Sequence, residues 1–196
     1  MTRFSGLPFD EMMISPTNPK MRAELLLLSS SMGVPTLRHD GLVIWNNLAI
    51  GEYLAEIRPE AGLLPRDQAQ RAHCRSISGE MHAGFAPLRS ALPMNLKGDF
   101  PSFRVWSRAQ ADIDRILAIW RECLETYGGP FLMGQVRTMA DAMYAPVCTR
   151  LRTYHVPVTP AGQAYCNTIF AMPEMTEWCT AARAEPEGVD ELEVEA

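Results

Sequence analysis

Two kinds of group in residues 33–47, G-V-P-T-L-R-H-D-G-L-V-I-W-N-N, could together hold an extended, carboxylate-bearing ligand. The apolar run around Val34, Pro35 and Leu37 reads as a strand, and an exposed strand edge offers N–H and C=O groups to an added peptide. Asn46 and Asn47 stand where a helical pattern begins, and helix-start amides and the dipole favour an anion. Asn47 is the expected N-cap, its side-chain oxygen accepting from an orphan amide of the first turn. Thr138 and Asp141 have the spacing of a capping box, with Asp as a short variant of the usual Glu or Gln. Such a box leaves no group spare for chemistry, so this pair is assigned to folding. His73 and Cys74 are neighbours that diverge on a helix, and no second pair stands at ligand spacing, so no metal is expected.

The elements that must position these residues fall into two halves. A short strand is expected over residues 9–14, a helix over 21–29, and strands around residues 35–37 and 42–45. Asp40-Gly41 between the last two is a tight-hairpin signal, because glycine accepts the positive φ of a primed turn. Leu48, Ile50, Tyr53, Leu54 and Ile57 then mark a helical face. After the proline-bounded linker P-E-A-G-L-L-P the pattern is helical throughout. One long helix carries Cys74, Ile77, Met81, Phe85, Leu88 and Leu92, with Pro87 expected to kink it. A second is expected over residues 102–127, stopped by Gly128-Gly129-Pro130, and two more over about 160–171 and 173–184, each opened by proline.

With 196 residues, 47% of them hydrophobic, the chain can bury a core as one domain or two small ones. Its net charge of −5 resides in the tail, where Glu185, Glu187, Asp190, Glu191, Glu193 and Glu195 leave a body near +1. A near-neutral body gives no electrostatic case for nucleic acid or an anionic membrane. The tail reads as a solvated terminus. Five cysteines, odd in number and never spaced C-x-x-C, read as reduced, buried thiols. The longest apolar run, residues 116–120, is too short to span a bilayer, and no secretory-signal layout opens the chain; a cytoplasmic location is the expectation.

The order of these features resembles the cytosolic glutathione S-transferase family, and specifically its bacterial, maleylacetoacetate isomerase-like branch. Val34-Pro35-Thr-Leu is similar to the family's V-P-x-L; D-G-L-V-I-W-N-N-L-A-I-G-E-Y-L resembles the strand, turn and helix that follow it. F-L-M-G-x-x-x-T-M-A-D resembles the capping-box signature of the helical domain, and P-E-A-G-L-L-P its linker. The resemblance covers residues 6 to about 184. It implies an α/β plus all-α fold: an incomplete thioredoxin-like domain over residues 1–60, an all-helical domain over 66–184, and an acidic tail over 185–196. It also implies a cis peptide before Pro35, which is inexpensive only before proline. The main chain of Val34 would then grip the cysteinyl part of glutathione, the co-substrate, and the Asn46-Asn47 helix start its γ-glutamyl end. Where the family has an acid followed by Ser or Thr, this chain has two neutral amides; where many relatives have Lys, it has Gly33. Both changes weaken the anchor. The segment carrying His82, Phe85, Arg89, Met94 and Asn95 resembles the wall of the acceptor pocket. Taken alone, Phe85 and Met94 read as ordinary core, and His82 and Arg89 as surface or interdomain polar groups.

The implied chemistry is attack of the glutathione thiolate on a small electrophile, or thiol-assisted isomerisation, by a protein that can form a homodimer. In the family the catalytic Tyr, Ser or Cys sits between a first strand and the first helix and favours the thiolate. The resemblance starts near the end of that helix, so the first strand and most of the first helix have no counterpart and no catalytic residue is identified; Ser5 lies too late. The alternative is a non-catalytic binding or interaction protein of the same fold. The in-frame sequence ahead of the Met1 codon tests the choice. A strand-and-turn segment bearing Tyr, Ser or Cys there supports the enzyme, and a stop codon there supports the degenerate member.

Overall fold

The computed structural model describes residues 1–13 and 34–185, which fall into two compact units, Met1–Leu64 and Pro65–Ala196. In the first unit a single helical turn, α1 (Thr2–Ser5), is followed by strands β1 (Thr36–His39) and β2 (Leu42–Trp45) and helix α2 (Asn47–Ile57). The strands pair antiparallel with Thr36 opposite Trp45 and His39 opposite Leu42. Asp40 (φ 47°) and Gly41 (φ 78°) turn the chain between them, with the positive angles that match the twist of a two-residue hairpin. Helix α2 packs on both α1 and β2, burying Ile50, Gly51 and Leu54, and His39 Nδ1 lies 2.7 Å from Tyr53 Oη, joining hairpin to helix.

The strand expected over residues 9–14 is not formed over its described part, 9–13. A strand exists only where a ladder partner satisfies it, and among the described residues β1 and β2 pair only with each other. Met12 and Met13 are exposed, and the Phe9 ring lies under the Arg3 guanidinium, 4.8 Å away. Ile14, the helix expected over 21–29, and Gly33 lie outside the described residues.

The second unit is helical: α3 (Gln68–Ala83), α4 (Ala86–Ala91), α5 (Ser107–Tyr127), α6 (Met139–Thr153), α7 (Pro160–Ala171) and α8 (Pro173–Ala184). Pro87 does not kink one long helix, as periodicity suggests; it opens a separate one. Helix α3 stops at Ala83, Gly84 is extended, and Phe85 takes a left-handed φ of 62°. A Cβ on Gly84 would stand 2.7 Å from the Glu80 carbonyl, so only glycine passes the chain there without a shift. The free amide of Leu88 at the start of α4 is satisfied from α5, by Asp112 Oδ2 at 2.9 Å. Helix α5 also begins later than residue 102. The preceding turn is held elsewhere, with Phe100 N donating to the Thr153 carbonyl and the Phe100 and Phe103 rings packed on Tyr154. Gly128, at φ 78°, ends the helix.

Trp120 of α5, Tyr144 of α6 and Tyr165 of α7 meet in the core, the indole 6.2 and 4.7 Å from the two phenol rings. All three are essentially without exposure. Beside them lies one buried carboxylate. Asp141 accepts from Leu132 N (2.9 Å), Thr138 N (2.8 Å), Thr138 Oγ1 (3.1 Å) and Tyr165 Oη (3.2 Å). Thr138 and Asp141 thus form a capping box at the start of α6 that also holds a loop and α7. Burial pushes the Asp141 carboxyl above the ordinary carboxylate range, and its hydrogen bonds act against that shift. Removing it strands several buried donors. Asp141→Ala is expected to cost about 3–5 kcal/mol and Thr138→Ala about 1 kcal/mol in urea unfolding. Equal losses would show that Asp141 does no more than cap a helix.

Candidate functional site

The hairpin register decides which residues share a place. Because Trp45 stands opposite Thr36, the residues just before β1 and just after β2, Val34-Pro35 and Asn46-Asn47, come to the same end of the hairpin. The Val34–Pro35 peptide is cis, and Val34 and Pro35 are exposed. Among the described residues β2 is the only strand beside β1. Asn46, not Asn47, is the N-cap of α2: its Oδ1 accepts from Leu48 N at 2.9 Å and its carbonyl from Ile50 N. The expected cap was one residue late because the chain leaves β2 through a positive φ of 78° at Asn46, an angle asparagine tolerates better than most residues. Asn47 is therefore the first helical residue, with its amide in the first turn.

The four residues assigned to an acceptor pocket are spread along the helical unit. His82 is in the last turn of α3, Phe85 in the link to α4, Arg89 on α4 and Met94 in the loop beyond. Phe85 is core, and its carbonyl accepts from Arg89 N at 3.0 Å. The Arg89 guanidinium turns back to the Met81 carbonyl, and Met94 is half-buried. Ser5 is buried; its hydroxyl donates to the Thr2 carbonyl (2.7 Å) and accepts from Leu7 N (3.3 Å), so the local turn uses it. His73 lies 2.9 Å from Tyr127 Oη, whereas Cys74 Sγ faces Thr138 Oγ1. Among the described residues no group of three His, Cys, Asp or Glu side chains could hold a metal ion, and no helix is long and apolar enough to cross a membrane.

A feature absent from the sequence reading lies between α6 and α7. A cavity of about 630 Å³ is lined by Cys148, Arg152, His155, Cys166, Asn167 and Phe170, among others. The one signal in the sequence is spacing: Cys148 and Arg152 are one helical turn apart, as are Cys166 and Phe170. That the two pairs face one another could not be read from either.

The profile of the glutathione S-transferase C-terminal domain matches residues 79–181. Relatives include maleylacetoacetate isomerase of Rattus norvegicus, 32% identical over 137 residues, covering 70% of this chain and 62% of the relative. The probable maleylacetoacetate isomerase of Caenorhabditis elegans is 29% identical over 139 residues, covering 71% and 65%. The chain thus spans less than two thirds of the length of these relatives. Among solved structures, a glutathione transferase homologue from Burkholderia with bound glutathione superposes at a TM-score of 0.69, with 24% identity over 93% of this chain and 88% of that one. Glutathione S-transferase 1-6 from Anopheles dirus species B superposes at 0.73, with 18% identity over 92% and 86%. The fold is that of a glutathione transferase: a partial thioredoxin-like unit followed by a helical one. The chain belongs to the glutathione S-transferase family.

The corrected cap carries its own test. Asn46→Ala, which loses the cap and places a Cβ-bearing apolar residue at positive φ, is expected to destabilise α2 by about 1–2 kcal/mol. Asn46→Gly should cost only a few tenths, and Asn47→Ala less than about 0.5 kcal/mol. Hydrogen–deuterium exchange of the α2 amides reads this order; a larger loss at Asn47 would return the cap to that residue.

Proposed function

We propose that the chain acts in glutathione-dependent chemistry on a small electrophile, as a transferase or a thiol-assisted isomerase. The observation that carries this reading is the shared end of the hairpin, where the Val34 edge and the first turn of α2 lie together. An extended tripeptide can add its cysteinyl main chain to the Val34 edge while its γ-glutamyl carboxylate meets the α2 amides. Such an anion gains about 0.3–1 kcal/mol from the helix dipole, besides its hydrogen bonds. The nucleophile is the thiolate of glutathione, and the protein's part is to orient it and favour its ionised form. Relatives named as maleylacetoacetate isomerases support an electrophilic carbonyl-conjugated substrate and the isomerase variant of this chemistry. His82, Phe85, Arg89 and Met94 are the residues assigned to the acceptor. Association of two copies and a cytoplasmic location belong to the same reading.

The second reading, a binding protein of this fold without catalysis, is supported by the neutral Asn46 and by the local engagement of Ser5. Calorimetry with glutathione and a conjugation assay with chlorodinitrobenzene separate the two. Saturable binding at millimolar glutathione is expected, and Asn46→Asp, which keeps a cap and adds a charge for the glutamyl ammonium, should tighten it about tenfold. Absence of heat from both proteins would refute glutathione binding at the hairpin. Binding without conjugation above the uncatalysed rate would select the second reading.

A further inference from the structure

A second groove, of about 410 Å³, lies where α6 and α8 end, lined by Arg152 and Thr153 of α6, Arg183 of α8 and residues 96–99 of the loop before α5. Three cationic side chains share it, and each is turned to a neutral partner. Lys97 Nζ donates to the Glu185 carbonyl, Arg183 Nε donates to the Leu96 carbonyl at 3.3 Å, and the Arg152 guanidinium lies 3.7 Å over the Phe170 ring. Among the described residues none of the three is paired with a carboxylate. Asp99, the one acid among the described lining residues, is engaged by His155 at 2.5 Å. A helix end carries about half a negative charge, so Asp99 and the ends of α6 and α8 offset about two of the three cations, and the groove stays positive. The chain leaves α8 at this same place. Glu185 is extended (φ −59°, ψ 129°), as suits a residue before proline, and its carbonyl is the one that Lys97 holds. Beyond it come the other acids of the tail, Glu187, Asp190, Glu191, Glu193 and Glu195.

We propose that the acidic tail folds back into this groove, where Glu187, Asp190 and Glu191 supply the carboxylates that Lys97, Arg152 and Arg183 lack. Sign and reach both select this occupant. Residues 186–191, fully extended, span at most about 20 Å, which is enough to cross a groove of this volume from the Lys97 side to Arg152. Attachment at Glu185 makes the pairing intramolecular, with an effective concentration in the millimolar range for so short a tether. Exposed ion pairs are individually weak in water, but several formed on one tether hold it. Two consequences follow from the lining residues. The tail keeps other anions out of the groove, and because Arg152 also lines the α6–α7 cleft, the tail closes that side of the cleft. The contact is electrostatic and therefore yields to salt: charges on the surface are felt over about 30 Å at 0.01 M and about 3 Å at 1 M. The proposal does not rest on glutathione binding at the hairpin, which involves none of these residues.

The test exploits the lysine content, since the chain has only Lys20 and Lys97. A carbodiimide joins a lysine amine to a carboxylate in contact with it and leaves no spacer. The full chain, as an equal mixture of unlabelled and isotope-labelled protein, is treated at low and at high salt and mapped by peptide mass spectrometry. An amide between Lys97 and Asp190 or Glu191 is expected, within peptides of the same isotope, its yield falling about tenfold between about 0.01 M and 1 M salt. Arg152→Gln and Arg183→Gln, which leave Lys97 in place to report, should each lower the yield about threefold. Products confined to Glu185 and Glu187, which the end of α8 alone keeps near Lys97, would overturn the proposal. So would equal yields at Lys20 and Lys97, or a yield that salt does not change. Mixed-isotope products would overturn it too, giving the groove to the tail of a second copy. The wild-type salt series decides on its own if an arginine variant fails to fold.

Discussion

The helical unit depends on a single buried carboxylate. Asp141 is without exposure, and it survives there because four donors from three parts of the chain converge on it. One donor pair closes the start of α6, the Leu132 amide fixes the loop that leads into it, and the Tyr165 hydroxyl ties α7 to the same point. An ion buried without such partners costs several kcal/mol, so the loop, the cap and the two helices are satisfied together or not at all. Trp120 fills the space beside this node and brings in α5.

Through α6 and α7 this constraint reaches the cleft between them. The carboxylate orients the first turn of α6, the helix that carries Cys148 and Arg152 further along, and its bond to Tyr165 orients α7, which carries Cys166 one residue later. Two cysteines separated by seventeen intervening residues therefore share a cleft because a polar network, not their own packing, places their helices. The opposite, C-terminal end of α6 receives Phe100 and Phe103 on Tyr154, which explains why the chain before α5 is turn and not helix.

The hairpin unit follows a different logic, set by register and turn chemistry. Asp40-Gly41 allows a two-residue turn, that turn sets Thr36 opposite Trp45, and the pairing then brings the Val34 edge to the start of α2. A slip of one residue would turn the alternating side chains over and move Asn46 away from that edge. The positive φ at Asn46 is part of this geometry. It lets the chain turn out of β2 and enter α2 without an intervening loop, and it gives the cap to Asn46 and leaves Asn47 in the first turn.

Local chemistry was legible in the amino-acid sequence wherever one residue type meets one backbone need. Pro160 and Pro173 begin helices, Gly128 ends one, Asp40-Gly41 turns a hairpin, and Thr138 with Asp141 caps a helix, each within a few residues of its cause. Such features depend on nearest neighbours, which is all that spacing can encode. Tertiary structure decided what depends on distant partners. Residues 9–13 found no ladder, Asp112 gave Pro87 a helix to begin, and Asn46 took the cap from Asn47 through a backbone angle that spacing does not reveal. The facing of Cys148–Arg152 and Cys166–Phe170 is of the same kind. Each pair is visible as a helical repeat, but only the packing of α6 against α7 puts both cysteines on one cleft and the Arg152 guanidinium over the Phe170 ring, because that contact energy is gained between elements and not within either.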